Sequence, residues 1–230
     1  MKKESYIIAT IKPWNIEKAM ELMKKNKRSD IHLITDKKDL LYPAVKKINP
    51  RYIFFPHWSW IIPKNIYENY ECVVFHMTDL PFGRGGSPLQ NLIVRGIKHT
   101  KITAIKVTGG IDAGPVYMKE SLQLGGAAAG IFKRFSLIVF DKMIPYMLDN
   151  NPSPVPQKGR IVKFKRRNPS QSDIGKIRDI EKIYDHIRML DAQSYPRAYL
   201  QKGNIRYEFT KARFHGNSIK AQVIIEVKDE

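Results

Sequence analysis

The chain has one cysteine in 230 residues, 22 acidic side chains against 40 lysines and arginines, and no long apolar run. Each shortage excludes something. A lone Cys72 leaves no internal disulfide and no cysteine cage for a metal, so a reducing cytoplasm is the expected compartment. No stretch approaches the ~20 apolar residues of a membrane span. The N-terminal Met1-Lys2-Lys3-Glu4-Ser5 leads into a strand-like run, not into the apolar core of a signal peptide. After that first strand stands Lys12-Pro13-Trp14-Asn15, with neither G-x-G-x-x-G nor a Walker phosphate loop. A dinucleotide or ATP held in the usual way is therefore not expected. No H-x-x-x-H, paired acids or cysteine spacing suggests a metal site.

What is present is mostly positive charge. The formal net charge is +18, and residues 157–220 hold 16 Lys/Arg against 6 Asp/Glu. Such an excess attracts nucleic acid, phosphorylated metabolites or an acidic membrane surface, although solvated lysine-rich helix faces produce the same surplus. A hydrophobic content of 43% is enough for a core, and the length suits one domain with a small appendage.

The first half alternates between strand and helix patterns. Tyr6 to Ile11, Ile31 to Thr35, Tyr52 to Phe55, Cys72 to Phe75 and Ile102 to Val107 read as strands. Asn15 to Lys25, with Asn15 as cap, Leu40 to Ile48 and Pro88 to Ile97 read as helices. Near-continuous apolar strands in this order predict an α/β fold, a Rossmann-like mixed or parallel sheet with helices on both faces. Gly126 to Asn150 reads as one long helix, and Asn151 to Pro156 as a linker. The expected division is a core domain over 1–150 and a small α+β extension over 151–230. That extension has a helix near Ile180 to Leu190 and two strand-like runs, Ile205 to Phe209 and Ala221 to Val227, suited to a hairpin.

The most informative stretch runs from Phe75 to Gln90. A histidine, His76, ends an apolar strand and meets a loop too rich in proline and glycine for helix or sheet. Strand ends of this kind are where open α/β sheets keep their ligand crevice. A second turn, Gly109-Gly110-Ile111-Asp112-Ala113-Gly114, carries a lone acid that would fix the tautomer of His76 and support proton transfer. His57 competes, in the loop Pro56-His57-Trp58-Ser59-Trp60-Ile61-Ile62-Pro63. Its tryptophans either wall a flat heteroaromatic ligand or pack into the core. Arg84, set among Gly83, Gly85 and Gly86, offers charge to a phosphate or carboxylate.

Taken in order, the Trp58–Pro63 loop, His76-Met77-Thr78-Asp79-Leu80-Pro81 with Arg84-Gly85, and Gly110-Ile111-Asp112-Ala113-Gly114 resemble the folate-dependent formyltransferases. That family includes methionyl-tRNA, glycinamide ribonucleotide and sugar-nucleotide N-formyltransferases, and the likeness covers roughly residues 50–150. Beyond it, Lys165-Arg166-Arg167-Asn168-Pro169, Asp173-Ile174 and Ile187-Arg188…Tyr195-Pro196-Arg197-Ala198-Tyr199 look like the post-core segment of the sugar-nucleotide branch. The chain is also shorter than a typical methionyl-tRNA formyltransferase.

The resemblance implies formyl transfer from 10-formyltetrahydrofolate to the primary amine of a nucleotide-linked amino sugar. A UDP-4-amino-4,6-dideoxy sugar of a nonulosonic acid pathway is the specific expectation. It implies His76 and Asp112 as catalytic pair, and His57, Trp58, Ser59, Trp60, Ile61, Gly109, Gly110 and Ile111 as the folate site. Thr78, Arg84, Gly85, Gly86, Arg166, Arg167, Arg188, Tyr195 and Tyr199 would meet the sugar nucleotide. The extension would serve substrate binding or a homodimer, with no nucleic-acid or membrane partner. The alternatives are an enzyme of the methionyl-tRNA formyltransferase type, using the same positive face, or a protein that binds folate or a nucleotide sugar without turnover. One position departs from the family. Its usual asparagine, two residues before the histidine, is Val74 here, and losing an oxyanion donor costs ~10²–10³ in rate. Thr78, His76 itself, a backbone N–H or the Trp58–Trp60 loop would have to substitute.

Overall fold

The computed structural model describes residues 3–227. They divide into two compact units, the first comprising residues up to 84 with 101–122 and 133–163, the second 85–100, 123–132 and 164 onward. In chain order the first half runs β1 (Ser5–Ala9), α1 (Pro13–Lys25), β2 (Asp30–Ile34), α2 (Tyr42–Ile48), β3 (Tyr52–Pro56), α3 (Lys64–Tyr67) and β4 (Glu71–His76). It continues through β5 (Phe82–Gly85), α4 (Pro88–Ile93), β6 (His99–Lys106) and β7 (Val116–Gln123). The rest is α5 (Ala128–Ile138), α6 (Ile144–Asn150), β8 (Val162–Phe164), α7 (Ile180–Leu190), β9 (Ala198–Lys202), β10 (Ile205–His215) and β11 (Ser218–Val227).

The first unit is built on a six-stranded sheet in the order β2-β1-β3-β4-β6-β7. Strands β2, β1, β3 and β4 are parallel, and β6 runs antiparallel to β4, with His76 opposite Thr103. All five residues of β3 are buried, as an uninterrupted apolar strand requires when a sheet is covered on both sides. Because β2 and β3 lie on opposite sides of β1, growth of the sheet reverses after β2. Right-handed crossovers then carry α1 and α2 to opposite faces. The expected mixed, mainly parallel α/β fold is the one observed.

In the second unit β11, β10 and β9 form an antiparallel meander, with Arg213 paired across to Lys220 and Phe209 to Ala198. Helix α7 packs on β10. Asp179 caps α7 by accepting from the Glu181 and Lys182 amides at 2.9 and 3.2 Å, and the helix buries Ile187, Met189 and Leu190.

Several local expectations are corrected. Asn15 is not the cap of α1, which starts two residues earlier at Pro13, a proline suiting the first helical turn because its missing N–H has no partner there. Asn15 is instead fully buried, its amide nitrogen 3.2 Å from both Thr10 Oγ1 and the Pro56 carbonyl, joining the ends of β1 and β3. The long helix from Gly126 is interrupted by a π-helical turn, Val139–Met143, where the Ile144 amide reaches back to the Val139 carbonyl. Pro145 follows directly and cannot donate to the Asp141 carbonyl, which accounts for the widened turn. Phe82–Gly85, in the loop expected to hold neither helix nor strand, forms β5 beside β8. Strand β7 carries no matching expectation. Its burial is mixed along its length, so it lacks the regular alternation that marks an edge strand in sequence.

Candidate active site

Strand β4 delivers His76 to its C-terminal end, and the ring is only 7% exposed. Its Nε2 lies 2.8 Å from the Gly83 carbonyl. A carbonyl can only accept, so Nε2 donates the hydrogen of that contact. Nδ1 stands 3.5 Å from Oδ1 of Asp112, whose side chain is itself mostly buried. The two motifs separated in sequence thus meet on one imidazole.

The acid is presented by a strained turn. Asp112 has φ +49°, the left-handed region that ordinary residues avoid. A Cβ at Gly114 would lie 1.7 Å from the Lys106 carbonyl, so only glycine lets the turn return against the end of β6. Gly109 has open space around it and Ile111 is exposed. Thr78 is fully buried: its hydroxyl is 3.4 Å from the Gly83 carbonyl, and its own carbonyl accepts from Thr103 Oγ1 at 2.6 Å. Asp79 pairs with Lys101 at 3.2 Å and with Lys119 at 2.5 Å. Burial pushes the Asp79 carboxyl up, but the two ammonium groups outweigh it and hold the net value below the usual range. Val74 packs against Leu80, Ile105 and Val116, so the position two residues before the histidine faces apolar side chains.

Arg84 is tied to a residue that sequence reading passed over. Gln157 accepts from Arg84 Nε and Nη2 at 3.1 and 2.8 Å and donates from Nε2 to the Asp112 and Gly114 carbonyls, both at 2.8 Å. It follows the Pro-rich segment expected to be a linker, and a lone glutamine there carries no pattern that sequence could flag.

The second strand-end loop is built differently. His57 has φ +60° and packs edge-on to Trp14 and Phe135, with centroids 6.0 and 6.4 Å away. Burial, reinforced by the Lys12 ammonium, pushes its imidazole down to about 3. Trp58 sits against the core beside Phe55, and among the described residues its buried indole N–H has no hydrogen-bond partner. Ser59, Trp60 and Ile61 are exposed, Ile61 at 95%.

The remaining expected site residues belong to the second unit. Close backbone approach at Gly85 and Gly86 is made by the protein's own chain: a Cβ would meet the Phe164 carbonyl at 2.3 Å and the Arg166 side chain at 2.6 Å, respectively. Arg188 spends its guanidinium on Asp185 at 2.6 Å and on the Leu124 and Gly126 carbonyls at 2.7 and 3.0 Å. Arg167 donates its amide to Ser87 Oγ and a guanidinium nitrogen to the Gln171 carbonyl. Tyr195 stacks on Phe132 at 5.1 Å, and burial raises its phenol. Tyr199 lies under the Arg206 guanidinium at 3.6 Å. Among the described residues no helix is long and apolar enough to cross a membrane.

Comparison with known proteins places this architecture. The fold is that of formyltransferases, among them a 4-N formyltransferase from Francisella tularensis with a TM-score of 0.68 at 12% identity, covering 87% of this chain and 93% of that one. Residues 169–226 match the family described as methionyl-tRNA formyltransferase, C-terminal domain. A solved methionyl-tRNA formyltransferase from Clostridium thermocellum is 55% identical, with a TM-score of 0.96, covering 97% of this chain and 99% of that one. The chain belongs to the methionyl-tRNA formyltransferase family. The methionyl-tRNA formyltransferase of Thermodesulfovibrio yellowstonii is 24% identical over 84% of this chain, which spans 65% of that relative's length.

The expected place in the sugar-nucleotide branch, with a nucleotide-linked amino sugar as partner, is therefore corrected. At 12% identity the Francisella enzyme shares the fold alone, whereas the 55% identical protein is a methionyl-tRNA formyltransferase. The shortness that argued against that class fails as a criterion, since the Clostridium chain is matched over 99% of its own length.

Proposed function

We propose that this protein transfers a formyl group from 10-formyltetrahydrofolate to the amine of methionyl-tRNA. The observation that carries this reading is the 55% identity across nearly the whole of a methionyl-tRNA formyltransferase. The approach of Asp112 to His76, 3.5 Å apart at a strand end, supports it. The folate supplies an activated one-carbon acyl group at the oxidation level of formate. Exposed Trp60 and Ile61 and the unpartnered indole N–H of Trp58 fit a flat heterocycle with hydrogen-bond acceptors, and the backbone from Gly109 to Ile111 would complete that site.

His76 would assist attack of the amine on the formyl carbon, taking its proton or stabilising the tetrahedral intermediate, with Nε2 on the Gly83 carbonyl and Nδ1 toward Asp112. Asp112 would orient the ring and balance the positive charge it acquires. An amine that arrives as an ammonium must first lose one proton to water; as the new C–N bond forms, the bond between the formyl carbon and the folate nitrogen would break, and that nitrogen would receive the proton taken from the amine. Residues 151–230 would act as an extension for substrate binding, in keeping with a cytoplasmic enzyme. The cross-strand pair Arg213 and Lys220 favours a polyanionic partner there: like charges set opposite each other destabilise a sheet and gain from a phosphate backbone nearby.

Incubation with 10-formyltetrahydrofolate and methionyl-tRNA tests the reading. Formylated methionine is expected after mild hydrolysis of the tRNA, with uncharged tRNA and free methionine as negative controls. Absence of product from methionyl-tRNA would overturn it.

A further inference from the structure

Both nitrogens of His76 are held by groups that lead back to one side chain. Nε2 rests on the Gly83 carbonyl, and the next residue is Arg84; Nδ1 faces the Asp112 carboxylate. Gln157 joins these two arms. Its Nε2 spans the Asp112 and Gly114 carbonyls, both at 2.8 Å, and its Oε1 receives Arg84 Nε and Nη2 at 3.1 and 2.8 Å. We propose that Gln157 is the positioning residue of the acid/base pair, setting how Asp112 and Gly83 grip His76, and that Arg84 is part of this frame. Gln157 touches neither ring nitrogen, so it acts only through them. The inference rests on the formyl-transfer reading for its kinetic consequence and on geometry alone for its structural one.

The chemistry of the position selects glutamine. Four contacts are needed: two N–H donors for two carbonyls, and an acceptor that takes two N–H groups of one guanidinium. A primary amide supplies all four from one planar group. Glutamate supplies the acceptor but no donors, and lysine or arginine supplies donors but no acceptor. Asparagine has the same amide on a side chain one methylene shorter. The frame also offsets a cost. Asp112 is in the left-handed region, a conformation that persists only where neighbouring contacts fix it, and two of those contacts are the amide bonds to its own carbonyl and to that of Gly114. With Arg84 committed to Gln157, its expected role as a charge for substrate is replaced by a bidentate tether between the His76 loop and the Asp112 turn.

The full chain tests this. In the wild type, heteronuclear NMR reads the Gln157 amide directly: both Nε2 protons are expected to exchange with solvent far more slowly than those of exposed Gln193. In Gln157→Glu the Arg84 contact survives while the two carbonyls face an oxygen. Its kcat for formyl transfer is expected to fall about 10–100-fold, the usual effect of a displaced acid/base pair, with KM for the formyl donor moving less than about threefold. The His76 ring shifts should move with it, and the pH profile of kcat/KM should be displaced. A variant that stabilised the fold alone would leave the ring shifts and pH profile where they were.

The proposal is overturned by wild-type ring shifts and kcat in a folded Gln157→Glu chain. It is equally overturned by amide protons that exchange as fast as those of Gln193, a measurement that stands even if the variant does not fold. Neither NMR measurement needs substrate. A wild-type chain inactive on methionyl-tRNA would therefore sink the functional reading while the ring shifts still judged the frame.

Discussion

The two units differ in how they hold their functional groups. In the first, every polar contact around His76 is specified: a carbonyl on one nitrogen, a carboxylate on the other, and Gln157 behind both. In the second, the basic side chains Lys211, Arg213 and Lys220 stand exposed on a meander whose outer strand also exposes Ile225 and Val227. Proton transfer depends steeply on distance and angle, so its groups are buried and braced. Attraction of a polyanion depends on charge and falls off slowly with distance, so its groups gain nothing from being fixed.

The sharpest way to break this comparison is to disable one unit and look for damage in the other. His76→Asn and Asp112→Asn are each expected to lower kcat about 10²–10⁴-fold. Binding of methionyl-tRNA, followed by fluorescence anisotropy, should stay within about twofold of wild type. Turnover within tenfold of wild type in His76→Asn would remove the imidazole from the mechanism. The converse variant reverses Lys211, Arg213 and Lys220 to glutamate. Affinity for methionyl-tRNA should fall about tenfold or more near 0.1 M salt, and the slope of log affinity against log salt should drop by about 2–3. kcat at saturation should hold. An unchanged salt slope would place the RNA elsewhere on the molecule.

A smaller effect sharpens the description of the first unit. Val74→Asn restores the family's amide, but the side chain there packs among Leu80, Ile105 and Val116. Burying an amide in such a cluster costs about 1–3 kcal/mol, readable as a lower denaturant midpoint with unchanged slope. If another group serves as the oxyanion donor, no more than a threefold gain in kcat is expected. A gain of tenfold or more would mean that the native site lacks a substitute donor.

What the sequence made legible follows the same division. The sheet could be read because its strands are short, apolar and regularly spaced, and His76 with Asp112 because each interrupts a strand end. Local pattern misled at Asn15, a residue type that caps helices, since its partners Thr10 and Pro56 meet it only once β1 and β3 are adjacent. Gln157 was invisible for the same reason: two of its four contacts lie 45 and 43 residues away and the other two 73. At Gly85 and Gly86, placed in sequence with the substrate, the closely approaching atoms are those of the protein's own Phe164 and Arg166. Substrate class was misjudged because chain length and a basic, tyrosine-bearing segment are shared between branches of one fold.

A final prediction concerns His57, in the other strand-end loop. His57 is held down to about 3 in the folded protein by burial and by Lys12, against an ordinary value near 6.5. Above pH 6.5 both folded and unfolded chains carry it neutral, and it adds no pH dependence. Between 6.5 and 3 the unfolded chain binds a proton that the folded one refuses, so stability declines as pH falls, at up to about 1.4 kcal/mol per pH unit. His57→Asn isolates this contribution, because asparagine tolerates the left-handed φ of +60° and does not titrate. Urea unfolding at pH 7, 6, 5 and 4 should show the wild type losing stability faster than the variant, with the difference growing toward acid. Parallel curves would mean that the ring accepts its proton while folded, and a charged His57 beside Lys12 would then extend the positive field into the first unit.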